Sequence, residues 1–161
     1  MNEFSLNEVI EMAVQIERNG FAFYDHALHR QDLDKESRKL LEILRDDEIS
    51  HEKIFKKLRD DFDIKNLLDT GDWAMVSGYL KAIADSHIFI DPQAAINLAT
   101  TARNYREIIL HAIDFEKDTL LYFYSVQKYV QEARARKAVE RIIEEEAGHI
   151  MRLKEFLSDH K

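Results

Sequence analysis

The chain has 161 residues, 45% of them hydrophobic, with four glycines, one proline, no cysteine and a formal net charge of −8. That length fits a single domain, residues 1–161, with room for a sizeable core, and so little turn chemistry favours long helices over a many-stranded sheet. The acidic balance argues against nucleic acid as a partner, and the missing cysteine excludes disulfides, thiolate metal sites, iron–sulfur centres and a thiol nucleophile, which leaves any metal to oxygen and nitrogen.

Met1-Asn2-Glu3-Phe4-Ser5 has neither the basic nor the apolar region of a signal peptide. No apolar run approaches the length of a membrane span. A soluble, cytoplasmic protein without membrane contact is the expectation.

Ser5-Leu6-Asn7-Glu8 has capping-box spacing and opens a first helix predicted to reach about His29. Its apolar stripe reads Leu6, Val9, Ile10, Ala13, Ile16, Gly20, Phe21, Tyr24 and Leu28 at helical spacing, and Glu17 falls on that stripe. Asp34 caps a second helix predicted to run to about Asp61. Leu40, Leu41, Leu44, Phe55, Leu58 and Phe62 mark its inner face, and Glu48 and His51 fill the gap between Leu44 and Phe55.

Residues 62 to about 91 read as a long crossover, with a turn at Thr70-Gly71-Asp72 and a short helix from Trp73 to about His87. Trp73, Val76, Tyr79, Leu80 and Ile83 suggest a lid over one end of the core. Asp91-Pro92 is an N-cap followed by proline at the first helical position. The stretch from Pro92 to Val130 is too long for one helix of the size of the first. Asn104-Tyr105-Arg106-Glu107 aligns with Ser5-Leu6-Asn7-Glu8 at an offset of 99, which divides it into a piece near 92–102 and a third long helix from Tyr105 to Val130. A single kinked helix is the alternative. A fourth helix takes about Glu132 to Leu157, with Ala135, Val139, Ile142, Leu153 and Phe156 inside and Glu146 and His149 filling the stripe.

The halves repeat beyond these landmarks: Glu8 to Arg18 lies against Glu107 to Lys117. Each half is a helix pair. A long connection between the pairs lets them pack as a four-helix bundle with approximate two-fold symmetry.

The repeat carries the chemistry. Glu48 and His51 form a Glu-x-x-His step, and Glu146 and His149 form a second, 98 residues later. A lone glutamate precedes each step, Glu17 by 31 residues and Glu116 by 30. Residues three apart share a helix face, so each step aims a carboxylate and an imidazole at one point. Four ionised carboxylates in an apolar core would cost several kcal/mol each. Two divalent cations cancel that charge, and without metal some carboxylates should hold protons. One step alone would be weak evidence, because surface glutamates are common. Two steps and two lone glutamates, all on apolar stripes and in repeated order, are specific for a dimetal site with Glu17, Glu48, His51, Glu116, Glu146 and His149 as ligands. The donor set suits iron or manganese, with zinc possible. Iron is preferred because a ferrous pair can reduce oxygen or peroxide by two electrons.

Other candidates carry less. His26, His29 and His160 fall near helix ends and are expected in solvent. His87 and His111 have no partner at ligand spacing and read as structural. Tyr24 lies two turns after Glu17 on the same face, so it is either a core aromatic or a second layer around the metal; its counterpart is Phe123, flanked by Tyr122 and Tyr124. The remaining acids of Asp46-Asp47-Glu48 and Glu144-Glu145-Glu146 are expected in solvent or around the ligands.

These residues resemble the ferritin-like superfamily and, within it, the rubrerythrin di-iron domain. Glu17 with Phe23-Tyr24, Glu48-Ile49-Ser50-His51, Glu116 with Phe123-Tyr124, and Glu146-Ala147-Gly148-His149 carry the resemblance. It implies an all-α, ferritin-like four-helix bundle of two duplicated helix pairs, a pair of iron ions on the six ligands, and redox chemistry with peroxide or dioxygen. Two departures stand out. Rubrerythrins carry a cysteine-rich rubredoxin module; its absence here implies an external electron-transfer protein. They also use an extra glutamate near the third-helix ligand, where this chain has Thr119 three residues after Glu116 and Ile113 three before. That moves the site toward the six-ligand pattern of ferritins and bacterioferritins, with no haem-binding methionine assignable. A non-catalytic iron-handling protein and a bundle held by a redox-inert metal are the competing readings. Phe21, Phe23 and Tyr122, as spare apolar residues, suggest a homodimer.

Overall fold

The computed structural model describes residues 5–68 and 71–160. The signal-peptide reading of Met1 to Phe4, the side chain of Leu6 in the first stripe and Thr70 of the predicted turn lie outside what it describes. The described residues are all-α. The helices are α1 (Leu6–Leu28), α2 (Lys35–Asp61), α3 (Ile64–Leu67), α4 (Trp73–Asp85), α5 (Pro92–Thr101), α6 (Tyr105–Gln127) and α7 (Ala133–Asp159). Among the described residues no helix is long and apolar enough to cross a membrane.

Side chains start these helices where the sequence predicts. Ser5 and Glu8 close a capping box on α1. Asp34, Asp91, Asn104 and Glu132 each accept a hydrogen bond from a backbone N–H of the first turn of α2, α5, α6 and α7. The Asn104 box differs from the Ser5 one: Glu107 reaches past Asn104 to the backbone N–H of Arg103, at 2.6 Å. Residues 92–127 are therefore two helices, as the repeat suggests. The break at Ala102 is held from outside, because the Arg30 guanidinium donates to the Ala102 carbonyl at 2.7 Å.

α6 ends at Gln127, three residues before the predicted Val130. The chain leaves the helix there because Val130 pairs with Leu68 across an isolated bridge and Gln131 N–H donates to the Leu67 carbonyl at 2.8 Å. Arg136 then caps the exit by donating to the Val130 carbonyl.

α1 packs along α2, and α6 along α7. The ion pairs Glu11–Arg59, Arg18–Glu52 and Asp25–Arg45 show that α1 and α2 run antiparallel. The pairs are joined through α1–α6 and α2–α7 contacts. Tyr122 ties them further by donating to the Val9 carbonyl at 2.9 Å. The core between them is large and apolar, with Ile10, Ile16, Phe23, Leu41, Leu44, Phe55, Phe115 and Phe123 fully buried.

Within the segment between α2 and α6, Tyr79 of α4 meets Ser125 near the C-terminal end of α6, and the residues after α4 lie against the middle of α1 and α6. Phe89 stacks on Phe115 at 4.8 Å between ring centroids and packs on Phe23. The Asn19 side chain donates to the Phe89 carbonyl at 2.9 Å. Phe115 immediately precedes Glu116 and Asn19 lies two residues after Glu17, so Phe89 is anchored to the neighbours of two predicted ligands.

Two of the three residues behind the homodimer expectation are interior: Phe23 and Tyr122 are fully buried. Large apolar side chains do reach the surface, but elsewhere, at Met75, Tyr79, Ile90, Leu110, Leu121, Tyr124 and Met151.

Candidate metal centre

Each predicted ligand sits at the middle of a long helix, on the face that its neighbours bury. α1 supplies Glu17, α2 supplies Glu48 and His51, α6 supplies Glu116, and α7 supplies Glu146 and His149. All six are at most 1% exposed. Two groups of ligand atoms converge. Glu48, Glu116, Glu146 and His149 each offer an atom within 4.8 Å of the others, and so do Glu17, His51 and Glu146. Glu146 belongs to both.

The imidazoles face inward through Nδ1. His51 Nδ1 lies 2.8 Å from Glu146 Oε1 and 3.5 Å from Glu17 Oε2. His149 Nδ1 lies 2.8 Å from Glu146 Oε2 and 3.4 Å from Glu116 Oε1. The His149 approach to Glu146 is close in distance but not aligned as a hydrogen bond, since both atoms remain without a partner. The two rings lie 20° from parallel, 5.9 Å apart.

Outside the ligands lies a second layer. His51 Nε2–H donates to Glu145 Oε2 at 2.8 Å, and His149 Nε2–H donates to Asp47 Oδ2 at 2.9 Å. The Tyr24 hydroxyl donates to Glu116 Oε1 at 2.5 Å. Tyr24 is a fully buried core aromatic whose hydroxyl is satisfied by the predicted ligand Glu116.

The electrostatics follow from burial and from the mutual effect of the six groups. Burial, reinforced by the Glu146 charge, pushes Glu116 up to about 8. Burial and the neighbouring carboxylates push Glu48 well above the carboxylate range, and Glu17 rises for the same reasons. Glu146 goes the other way: burial opposes its charge, but the His149 and His51 imidazoles outweigh it and hold the carboxyl below its usual range. Burial would strip the imidazoles of their protons. The surrounding carboxylates overcome that and raise His51 to about 11 and His149 to about 12.

The donor set fits a pair of divalent cations. Both oxygens of Glu17 and of Glu48, one of Glu116 and one of Glu146 are buried without a hydrogen-bond partner. Buried carboxylate oxygens are ordinarily satisfied. Six left bare around one point are what hard cations take from oxygen and nitrogen donors.

Gly20 is the site residue that its sequence position does not announce. A Cβ there would lie 2.5 Å from Glu48 Oε2 and 2.5 Å from Phe115 Cζ. One clue exists in the sequence, since Gly20 is one turn after Glu17 on the ligand face.

The other histidines differ among themselves. His87 is buried and structural, with Nδ1 accepting from Phe89 N–H and Nε2–H donating to Thr119 Oγ1, both at 3.1 Å. His29 is exposed, as expected. His26 and His160 are half-buried instead, since His26 Nδ1–H donates to the Ala22 carbonyl and His160 stacks on Phe156 and binds Glu36. A surface depression of about 600 Å³ opens over the α2–α7 seam. Asp47, Glu145, His149, Gly148, Arg141 and Arg152 line it, so the outer edge of the imidazole layer is the part nearest solvent.

The chain matches no family model, no curated protein and no solved structure. The geometry of the site alone carries its functional reading.

Proposed function

We propose that this chain is a ferritin-like four-helix bundle of the rubrerythrin type, and that it is a dimetal oxidoreductase acting on peroxide or dioxygen. The single observation behind the proposal is the ligand set: four glutamates and two histidines from four helices, all buried, with six carboxylate oxygens unpartnered. Glu17, His51 and Glu146 would hold one ion, and Glu48, Glu116, Glu146 and His149 the other. Two bound iron ions would supply the two electrons that reduce peroxide or oxygen.

The chain's own residues provide the rest. Asp47 and Glu145 fix both rings so that Nδ1 faces the carboxylates. Tyr24 holds one oxygen of Glu116 and turns the other inward. Phe23, Phe55, Phe115 and Phe123 keep water from the core side. Small molecules would approach along the α2–α7 seam, where the depression reaches His149. Residues 1–161 contain no cysteine, so re-reduction would come from a donor outside them.

Stopped-flow mixing of the diferrous protein with peroxide, and separately with oxygen, tests the proposal. Oxidation faster than that of free ferrous ion is expected with at least one oxidant. Tight binding of two ions with no faster oxidation would point to iron handling, and large stabilisation by a redox-inert metal alone would point to a structural role.

A further inference from the structure

We infer that Gly20 is a positioning residue that makes the two metal positions unequal, because the space left by its missing side chain is where the Glu48 carboxylate sits. The inference rests on the dimetal reading above.

The space is narrow. A Cβ on Gly20 would meet Glu48 Oε2 at 2.5 Å, Glu48 Cδ at 2.8 Å and Phe115 Cζ at 2.5 Å. No side chain enters without displacing the carboxylate or the ring. The sequence repeat, at its offset of 99, equates Gly20 with Thr119. That second position is filled: Thr119 is fully buried, and its hydroxyl accepts from His87 Nε2 at 3.1 Å. The duplicated halves therefore differ at one point one turn from each lone glutamate.

The difference follows through to the ligands. Glu146 and Glu48 are counterparts in the repeat. Glu146 is clamped between both imidazoles, at 2.8 Å from each. Glu48 has neither oxygen hydrogen-bonded. It lies in the Gly20 space and joins only one converging group. One position thus has four donors, Glu48, Glu116, Glu146 and His149, and the other three, Glu17, His51 and Glu146. The fourth donor depends on a residue that binds no metal.

Cobalt(II) titration of the metal-free protein against a chromophoric chelator tests this, with the cobalt ligand-field spectrum as a second readout. Gly20→Ala also meets the Phe115 ring, so the comparison is Phe115→Leu against Gly20→Ala/Phe115→Leu, where only the Glu48 collision remains. The wild type should take up two equivalents in two steps of distinct affinity. In the double variant the tighter step should weaken by about tenfold or more, with the weaker step unchanged and the cobalt spectrum altered. Thr119→Ala should leave both steps as they are. Equal steps in the wild type, or a double variant that binds like Phe115→Leu or loses both steps together, would overturn the inference and leave the dimetal reading standing. A wild type that binds no pair of ions would remove both.

Discussion

His51 turns its outer nitrogen onto Glu145, 2.8 Å away, and Glu145 immediately precedes ligand Glu146 on the facing helix. His149 repeats the relation in reverse with Asp47, the residue before Glu48, at 2.9 Å. Each imidazole is thus held by the helix that carries the other Glu-x-x-His step. The crossing fixes Nε2 as the proton-bearing nitrogen and leaves Nδ1 for the centre. It also ties α2 to α7.

Removing either acid should therefore loosen the centre without touching a ligand. Asp47→Ala and Glu145→Ala are each expected to weaken metal binding by about 10- to 100-fold while the helical content stays at the wild-type level. Chelator competition measures the first and far-ultraviolet circular dichroism the second. Unchanged affinity in both variants would show that the crossing is incidental.

The bare carboxylates predict an opposition between stability and metal binding. Glu48 has two buried, unpartnered oxygens, and burial of an unsatisfied polar group costs about 1–3 kcal/mol. Glu48→Leu should stabilise the metal-free protein by about that amount and abolish the four-donor position. Urea denaturation of the metal-free forms gives the stability difference, and metal analysis gives the stoichiometry. A less stable metal-free Glu48→Leu would mean that the cluster is satisfied in some other way.

Protons and metal should compete for the same atoms. Glu116 is raised to about 8 from 4.5, so it keeps its proton in the fold at pH 7 and has lost it in the unfolded chain. The sign is then fixed: metal-free stability contributed by this group is greatest below pH 4.5 and falls as pH rises from there to about 8. Metal replaces the proton and removes the penalty. Uptake at pH 7 should acidify a weakly buffered solution, and affinity should climb with pH across that interval. Stripping the metal should lower the melting temperature, with about 4 kcal/mol at stake when free metal stands at a thousandfold its Kd. A pH-indicator titration that shows no proton release would contradict the assignment of these groups as ligands.

Much of the site was legible because helix geometry is periodic. Glu17, Glu48, His51, Glu116, Glu146 and His149 occupy stripe positions where apolar residues belong, and the structure buries all six together. The starts of α1, α2, α5, α6 and α7 were legible for a similarly local reason, since each has a side-chain cap within three residues. What escaped depends on distant contacts. The end of α6 is set by Leu67 and Leu68 pairing with Gln131 and Val130. Phe89 is held against the bundle by Asn19, Phe23 and Phe115, all distant in sequence. Phe23 and Tyr122 looked spare because a single stripe cannot show that α1 and α6 are covered on more than one side. Gly20 stands in the predicted stripe, but a stripe cannot show that its contribution is the absence of atoms beside Glu48.

His87 predicts an acid sensitivity separate from the metal ligands. It is 4% exposed, anchored to Thr119 and to the Phe89 backbone, and edged by the Phe115 ring at 5.6 Å. Burial alone pushes it down to about 4 from 6.5. Asp118 and Asp114 on α6 do not offset that burial; Asp118 instead accepts from the Ile88 backbone N–H at 2.8 Å. A depressed histidine contributes stability that is complete above about pH 6.5 and is lost as pH falls toward 4. His87→Gln keeps hydrogen-bonding groups at this position without the titration. Between pH 7.5 and pH 5 the metal-free wild type should lose about 2 kcal/mol more than His87→Gln, as read from urea denaturation at the two pH values. Equal losses would show that burial leaves the imidazole with the pKa it has in the unfolded chain. Protonation would turn Nδ1 from acceptor to donor, so the larger loss would mean that acid costs the fold the hydrogen bond from the Phe89 backbone N–H.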